Sequence, residues 1–176
     1  MNTPNVEKAQ RPLRKKYRQS PESAIVIDQA ETCGINPDNP FHFLVKPMPR
    51  SGVEIPVGVH HAVGGLHHAP TPGDILCAAL AACQDSTLRM IANILGIELE
   101  SLKVTVSANV DVRGTLAMSK NVPVGFQAIN CDVQMKAKPG TATALVKKLQ
   151  VAALESCVIQ QTLSNPPQVK TDFFSD

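Results

Sequence analysis

The chain has 176 residues, with 17 Lys and Arg against 15 Asp and Glu and a formal net charge of +2. That length suits one domain with a sizeable core, and near-neutrality gives no electrostatic case for nucleic acid, a membrane surface or an acidic partner. Five Phe, one Tyr and no Trp argue against base-stacking platforms.

No N-terminal stretch combines a basic start, an apolar core and a small-residue cleavage site. The longest apolar run reads as too interrupted to span a bilayer, so a cytoplasmic location is expected. The five cysteines, Cys33, Cys77, Cys83, Cys131 and Cys157, are odd in number and widely spread. In a reducing compartment that pattern suggests buried or reactive thiols, not a disulfide framework.

Residues 1–22 carry Lys8, Arg11, Arg14, Lys15, Lys16 and Arg18 and read as a flexible, solvated basic arm. Residues 23–176 read as one domain. Ala24–Ile27, Phe41–Lys46 and Val53–Val59 are short β-rich runs separated by turn residues. They predict a small antiparallel meander with a hairpin near Arg50-Ser51-Gly52. His60, His61, His67 and His68, with Gly64 and Gly65 between them, predict a loop.

The loop leads into a complete helix-start signal. Thr71 can cap, Pro72 falls at the first helical position and Asp74 three after the cap. Ile75, Leu76 and Ala78 to Ala82 then cover every side of a helical wheel, which predicts a buried helix. Cys83 sits where the polar residues Gln84, Asp85 and Ser86 begin, and Gly96 is a good stop. Ser101–Val112 and Phe126–Lys138 alternate as two half-buried strands of a hairpin, around a loop with Gly114, Pro123 and Gly125. After Pro139-Gly140, Leu145, Leu149, Ala153 and Cys157 recur every four residues along a second helix, Thr141 to Ser156. Gln168–Phe174 reads as a closing strand. The order predicts an α+β fold with antiparallel sheet.

Cys131 alternates into a strand's core face and reads as a small hydrophobe. Cys77 precedes Cys83 by six residues, about 120° away on a helix, so the two do not share a face. Cys33 is in a loop. Cys83 and Cys157 each stand at the polar boundary of an apolar helix. Two packed helices can bring such residues into disulfide range, Cα atoms about 4.4–6.8 Å apart; inert buried thiols fit the pattern too.

The run from Pro70 through Cys83, continuing through Thr87-Leu88-Arg89-Met90 and Ile97 to Val104, resembles the OsmC/Ohr family. Glu155-Ser156-Cys157-Val158 and Thr162 to Pro166 look like that family's second-cysteine segment. The resemblance implies antiparallel sheet wrapped around two long central helices and an intertwined homodimer with active sites at the subunit interface. It implies reduction of organic hydroperoxides, with no bound cofactor and an external dithiol reductant protein of lipoyl type. By position, Cys83 matches the peroxidatic cysteine and Cys157 the resolving one. The family's thiolate-activating arginine would be Arg50, held by Asp74 where Glu is usual. Val158 replaces a proline often found after the second cysteine.

The histidine loop lacks helical ligand spacing and a CxxC partner, so no metal is expected and a substrate-pocket wall is the preferred reading. The alternative class is an OsmC-like protein that binds an apolar small molecule with little or no redox chemistry. A hotdog-type thioesterase is disfavoured by the second long helix.

Overall fold

The computed structural model describes residues 4–34 and 36–175. The chain divides into two units, residues 1–78 with 106–131 and residues 79–105 with 132–176.

The first unit opens with helix α1, Val6–Gln19, where an arm was expected. Its stability is local. The Asn5 side chain accepts from Lys8 N, Glu7 pairs with Arg11 and Arg14 bonds Gln10 one turn apart. None of its residues is buried, so the segment is solvated as predicted but helical. Residues 1–3 of the expected arm lie outside the described residues. The expected strand at Ala24–Ile27 is absent, and a single 3-10 turn occupies Pro21–Ala24. Pairing begins later, at β1 Ala30–Cys33, and leaves Ile25, Val26 and Ile27 exposed. β1, β2 (His42–Pro47) and β3 (Ile55–Gly58) form the antiparallel meander in that order, with Cys33 opposite Leu44 and Leu44 opposite Pro56. The turn Pro49–Ser51 joins β2 to β3 near the expected hairpin.

Helix α2 runs Pro72–Leu95. It ends as its sequence predicts. Gly96 adopts φ +69°, its N–H reaches Asn93 O, and Ile97 N reaches Ala92 O at 2.8 Å. Those two bonds are the paired closing bonds of a left-handed helix stop. The expectation of burial on every side is corrected. Only Leu80, Gln84, Thr87, Leu88 and Ala92 are buried, while Ala78, Ala82, Ser86, Met90 and Ile94 form an exposed stripe. α2 is also long and apolar enough to cross a membrane by composition alone, against the sequence reading. Its buried stripe instead closes the second unit's core.

β4 (Leu99–Asn109) and β5 (Ala128–Ala137) make the two-stranded sheet. Its antiparallel ends are marked by Gln127 N to Asn109 O and Lys138 N to Glu98 O, both 2.9 Å. Leu102, Val104, Val106 and Ala108 lie on the less exposed face, as the alternation predicts. Val112 is not in the strand: Asp111 caps a short helix α3, Val112–Thr115, inside the expected loop.

The second unit's core is Leu88, Ala92, Ile97, Leu149 and Ala153, edged by Leu99, Leu102, Val104, Met135 and Leu145. Leu149 and Ala153 belong to α4, Thr143–Ser156, and both are fully buried. A short helix not foreseen in the sequence, α5, covers Val158–Ser164. Gln168–Phe174 is not a strand among the described residues, and Phe173 and Phe174 are exposed. A strand needs a neighbour to satisfy its backbone, and that segment has none among the described residues.

Two substitutions separate core packing from backbone geometry. Leu149→Ala empties the centre of the core and is expected to cost about 2–5 kcal/mol. A Cβ at Gly96 would meet nothing within 4 Å, so Gly96→Ala is expected to cost only about 1–2 kcal/mol of left-handed backbone strain. Urea unfolding midpoints at unchanged slope measure both.

Candidate active site

In the first unit, the start of α2 is a reciprocal cap. Thr71 Oγ1 accepts from Asp74 N at 3.3 Å, and Asp74 Oδ2 accepts from both Thr71 N and Thr71 Oγ1 at 2.8 Å. His67 Nε2 lies 3.5 Å from the same oxygen. The Thr71 amide, then its hydroxyl, hold the Asp74 carboxyl below its usual range; partial burial opposes them and His67 adds to the lowering. Arg50 sits exposed in the Pro49–Ser51 turn and forms no ion pair among the described residues.

In the second unit, Cys83 and Cys157 meet. Cys157 is fully buried at the junction of α4 and α5. Its N–H closes α4 on Ala153 O at 3.1 Å, and its carbonyl opens α5 by accepting from Gln161 N at 2.9 Å. Between those bonds the backbone is extended (φ −76°, ψ 107°), so the chain breaks there and aims the first amides of α5 at a sulfur. Burial pushes the Cys83 thiol up. It is outweighed by the Ile159 amide, the Cys157 thiol, the Val158 amide and the Thr87 hydroxyl, which together hold Cys83 below the ordinary thiol value. Cys157 is pushed up to about 11, first by burial and then by the neighbouring Cys83 sulfur, against the Gln160 and Ile159 amides.

The two thiols are therefore unequal. The Cys83 thiol is held low and the Cys157 thiol high, each by the other's sulfur among its neighbours. Gln84 and Thr87 are the buried polar side chains of this stretch of α2. Gln84 Oε1 has no hydrogen-bond partner among the described residues, which costs about 1–3 kcal/mol unless a donor reaches it.

The family follows from this arrangement and from one comparison. The model of the OsmC-like protein family matches residues 64–172, more than half of the chain and both cysteine segments. The chain belongs to the OsmC-like family. Solved structures share the fold at low identity. An OsmC-like protein from Mycoplasma pneumoniae superposes with a TM-score of 0.62 at 15% identity, covering 80% of this chain and 89% of that one. The organic hydroperoxide resistance protein OsmC of Legionella pneumophila gives 0.59 at 19% identity, covering 81% and 92%. The organic hydroperoxide resistance protein of Elizabethkingia anophelis gives 0.57 at 19%, covering 81% and 91%. No relative among curated proteins matches the sequence.

Of the residues singled out in the sequence, this OsmC-like chain brings Cys83 and Cys157 together in one unit, while Arg50 and Asp74 belong to the other. The basic side chain beside Asp74 is His67, and no arginine pairs with Asp74 among the described residues. The sequence reading did not find Thr87 or the Val158 and Ile159 amides. Thr87 had a signal, since it follows Cys83 by one helical turn. The amides had one as well: Val158 stands where the family often has proline, and only a non-proline residue carries that N–H.

Position 158 supplies a test. It is the first residue of α5, where proline suits the helix, and Cys157 already has the extended backbone that a following proline requires. Val158→Pro is expected to preserve the helix and remove one donor, raising the Cys83 pKa. Thiolate rises as pH climbs through the pKa, so the pH midpoint of Cys83 alkylation should move upward, with Cys157 labelling little below pH 9 in either protein. Peptide-resolved alkylation rates measure both sites.

Proposed function

We propose that this OsmC-like protein is a cysteine-based peroxidase that reduces organic hydroperoxides in oxidative-stress defence, acting in the cytoplasm as a homodimer. The observation that carries the reading is the hydrogen-bonded Cys83–Cys157 pair, with the lowered pKa on Cys83 and the raised one on Cys157. The Cys83 thiolate attacks the outer peroxide oxygen. The O–O bond breaks, Cys83 becomes a sulfenic acid, and the alkoxide leaves as an alcohol after taking a proton. The Cys157 thiol then displaces water from the sulfenic acid to form a disulfide. An external dithiol reductant protein, of the lipoyl type by family resemblance, returns both sulfurs to thiols by exchange.

The homodimer reading rests on surface that one chain leaves open. Ile25, Val26 and Ile27 are 76–80% exposed and Phe173 and Phe174 at least 94%, and the α2 stripe of Ala82, Ser86, Met90 and Ile94 is exposed. Exposed apolar area of this kind marks association surfaces.

Arg50 is the proposed cation for the thiolate and Asp74 its proposed support. A second reading is favoured by the engagement of Asp74 with Thr71 and His67 instead of an arginine: a small-molecule binder with little redox chemistry. Peroxide consumption with a dithiol decides between them. Cys83→Ser should abolish turnover, and Cys157→Ser should allow one turnover and then give sulfinic acid, seen by mass spectrometry. Full activity in Cys83→Ser would sink the peroxidase reading. Absence of both sulfenic acid and disulfide in the native protein would favour the binder.

The arginine is tested separately. Arg50→Met should slow the second-order reaction of Cys83 with hydroperoxide by at least about tenfold, the share of a lost charge-assisted contact of about 1.5–3 kcal/mol. An unchanged rate would leave the α5 amides and Thr87 as the stabilising groups.

A further inference from the structure

We infer that His60, His61 and His67 form a three-imidazole site for a late first-row divalent cation, with Zn²⁺ as the reference ion. One ring nitrogen from each lies within 4.8 Å of the other two. The ring centroids of His60 are 4.3 Å from those of His61 and 4.4 Å from those of His67.

The loop reaches this convergence without helical spacing. His60 O accepts from both Val63 N and Gly65 N, closing the turn His61–Val63. Gly64 then reverses the chain at φ +91°. Gly65 passes so close to Val59 that a Cβ there would lie 2.1 Å from the Val59 carbonyl oxygen. His67 N next bonds Val59 O at 2.9 Å, which folds His67 back beside His60 and His61. His67 itself holds φ +49°, a conformation that costs a non-glycine residue roughly 1–2 kcal/mol and persists where surrounding contacts impose it.

The chemistry of each ring suits a ligand. Asp74 Oδ2 faces His67 Nε2 and is itself fixed by Thr71. A carboxylate behind a histidine sets its tautomer and raises its basicity toward a metal, leaving Nδ1 of His67 for the cation. His60 Nδ1 accepts from Ala62 N at 3.0 Å. On ligation that nitrogen passes to the cation, and the exposed Ala62 amide passes to water. Zn–N bonds of about 2.0–2.1 Å need the nitrogens to close to roughly 3.4 Å, which rotation of the exposed His61 and His67 rings supplies. Three imidazoles leave one position for water and select Zn²⁺, Cu²⁺ or Ni²⁺ over Mg²⁺ or Ca²⁺. His68 and His42 bond each other at 3.1 Å and form a separate pair.

The test uses the full chain carrying Cys83→Ser and Cys157→Ser, so that the soft thiol pair cannot take the metal. Calorimetric titration with Zn²⁺ and absorption titration with Co²⁺ should give one ion per chain. His61→Gln, on an exposed ring, and His67→Asn, which suits the left-handed backbone, should each weaken binding by at least about tenfold, and Asp74→Asn by about 10–100-fold. His68→Gln should leave the affinity unchanged. Circular dichroism shows that each variant is folded. No uptake of either ion, or equal affinity in His61→Gln and His67→Asn, overturns the site.

Discussion

The Cys83 sulfur lies where the first amides of α5 point, and the second unit is built to keep it there. A thiolate in a partly buried site must be held by donors or by a cation. Here the donors are backbone N–H groups, the Thr87 hydroxyl and the Cys157 thiol. Each depends on a structural stop. α2 is fixed by its Gly96 ending, which sets Ile97 and Ala92 in the core. α4 is fixed by Leu149 and Ala153, and it must end at Cys157 for α5 to begin anew with free amides. Had the helix continued through position 157, the Val158 and Ile159 N–H groups would have been spent on carbonyls one turn back.

This changes what the arginine is needed for. Family resemblance makes a guanidinium the activator of the thiolate. In this chain the local donors already lower the Cys83 pKa without any charged group. In the proposed reaction a cation would then act chiefly on the negative charge that builds on the leaving alkoxide oxygen. Charge stabilisation at the point where charge develops is the larger lever in such steps.

Much of this was legible in the sequence because it is local or periodic. The Thr71–Asp74 cap, the Gly96 stop, the alternation of β4 and the four-residue recurrence of Leu149, Ala153 and Cys157 each follow from spacing alone. The family resemblance supplied the link between the two cysteines, which no spacing rule contains. What was missed depends on partners. Gln168–Phe174 has a strand's residues but no strand neighbour among the described residues, and Ile25 to Ile27 lie apolar and exposed before a meander that starts three residues later. α1 was hidden by its charge, although Asn5 and the four-residue pairs of Glu7 with Arg11 and Gln10 with Arg14 carry its signal. Backbone donors leave no letter in a sequence; position 158 is an exception only because proline lacks one. The histidine loop was judged by helical spacing, whereas Gly64 and Gly65 bring its rings together by a reversal.

Cys157 divides its duties by atom. Its N–H and C=O are both committed, one ending α4 and the other starting α5, while its sulfur meets Cys83 and the Gln160 and Ile159 amides. A bond made or broken at sulfur therefore spends neither the Cys157 N–H bond to Ala153 nor the Gln161 N–H bond to the Cys157 carbonyl. In the proposed redox cycle the end of α4 and the start of α5 are thus held by backbone atoms that the sulfur chemistry does not consume.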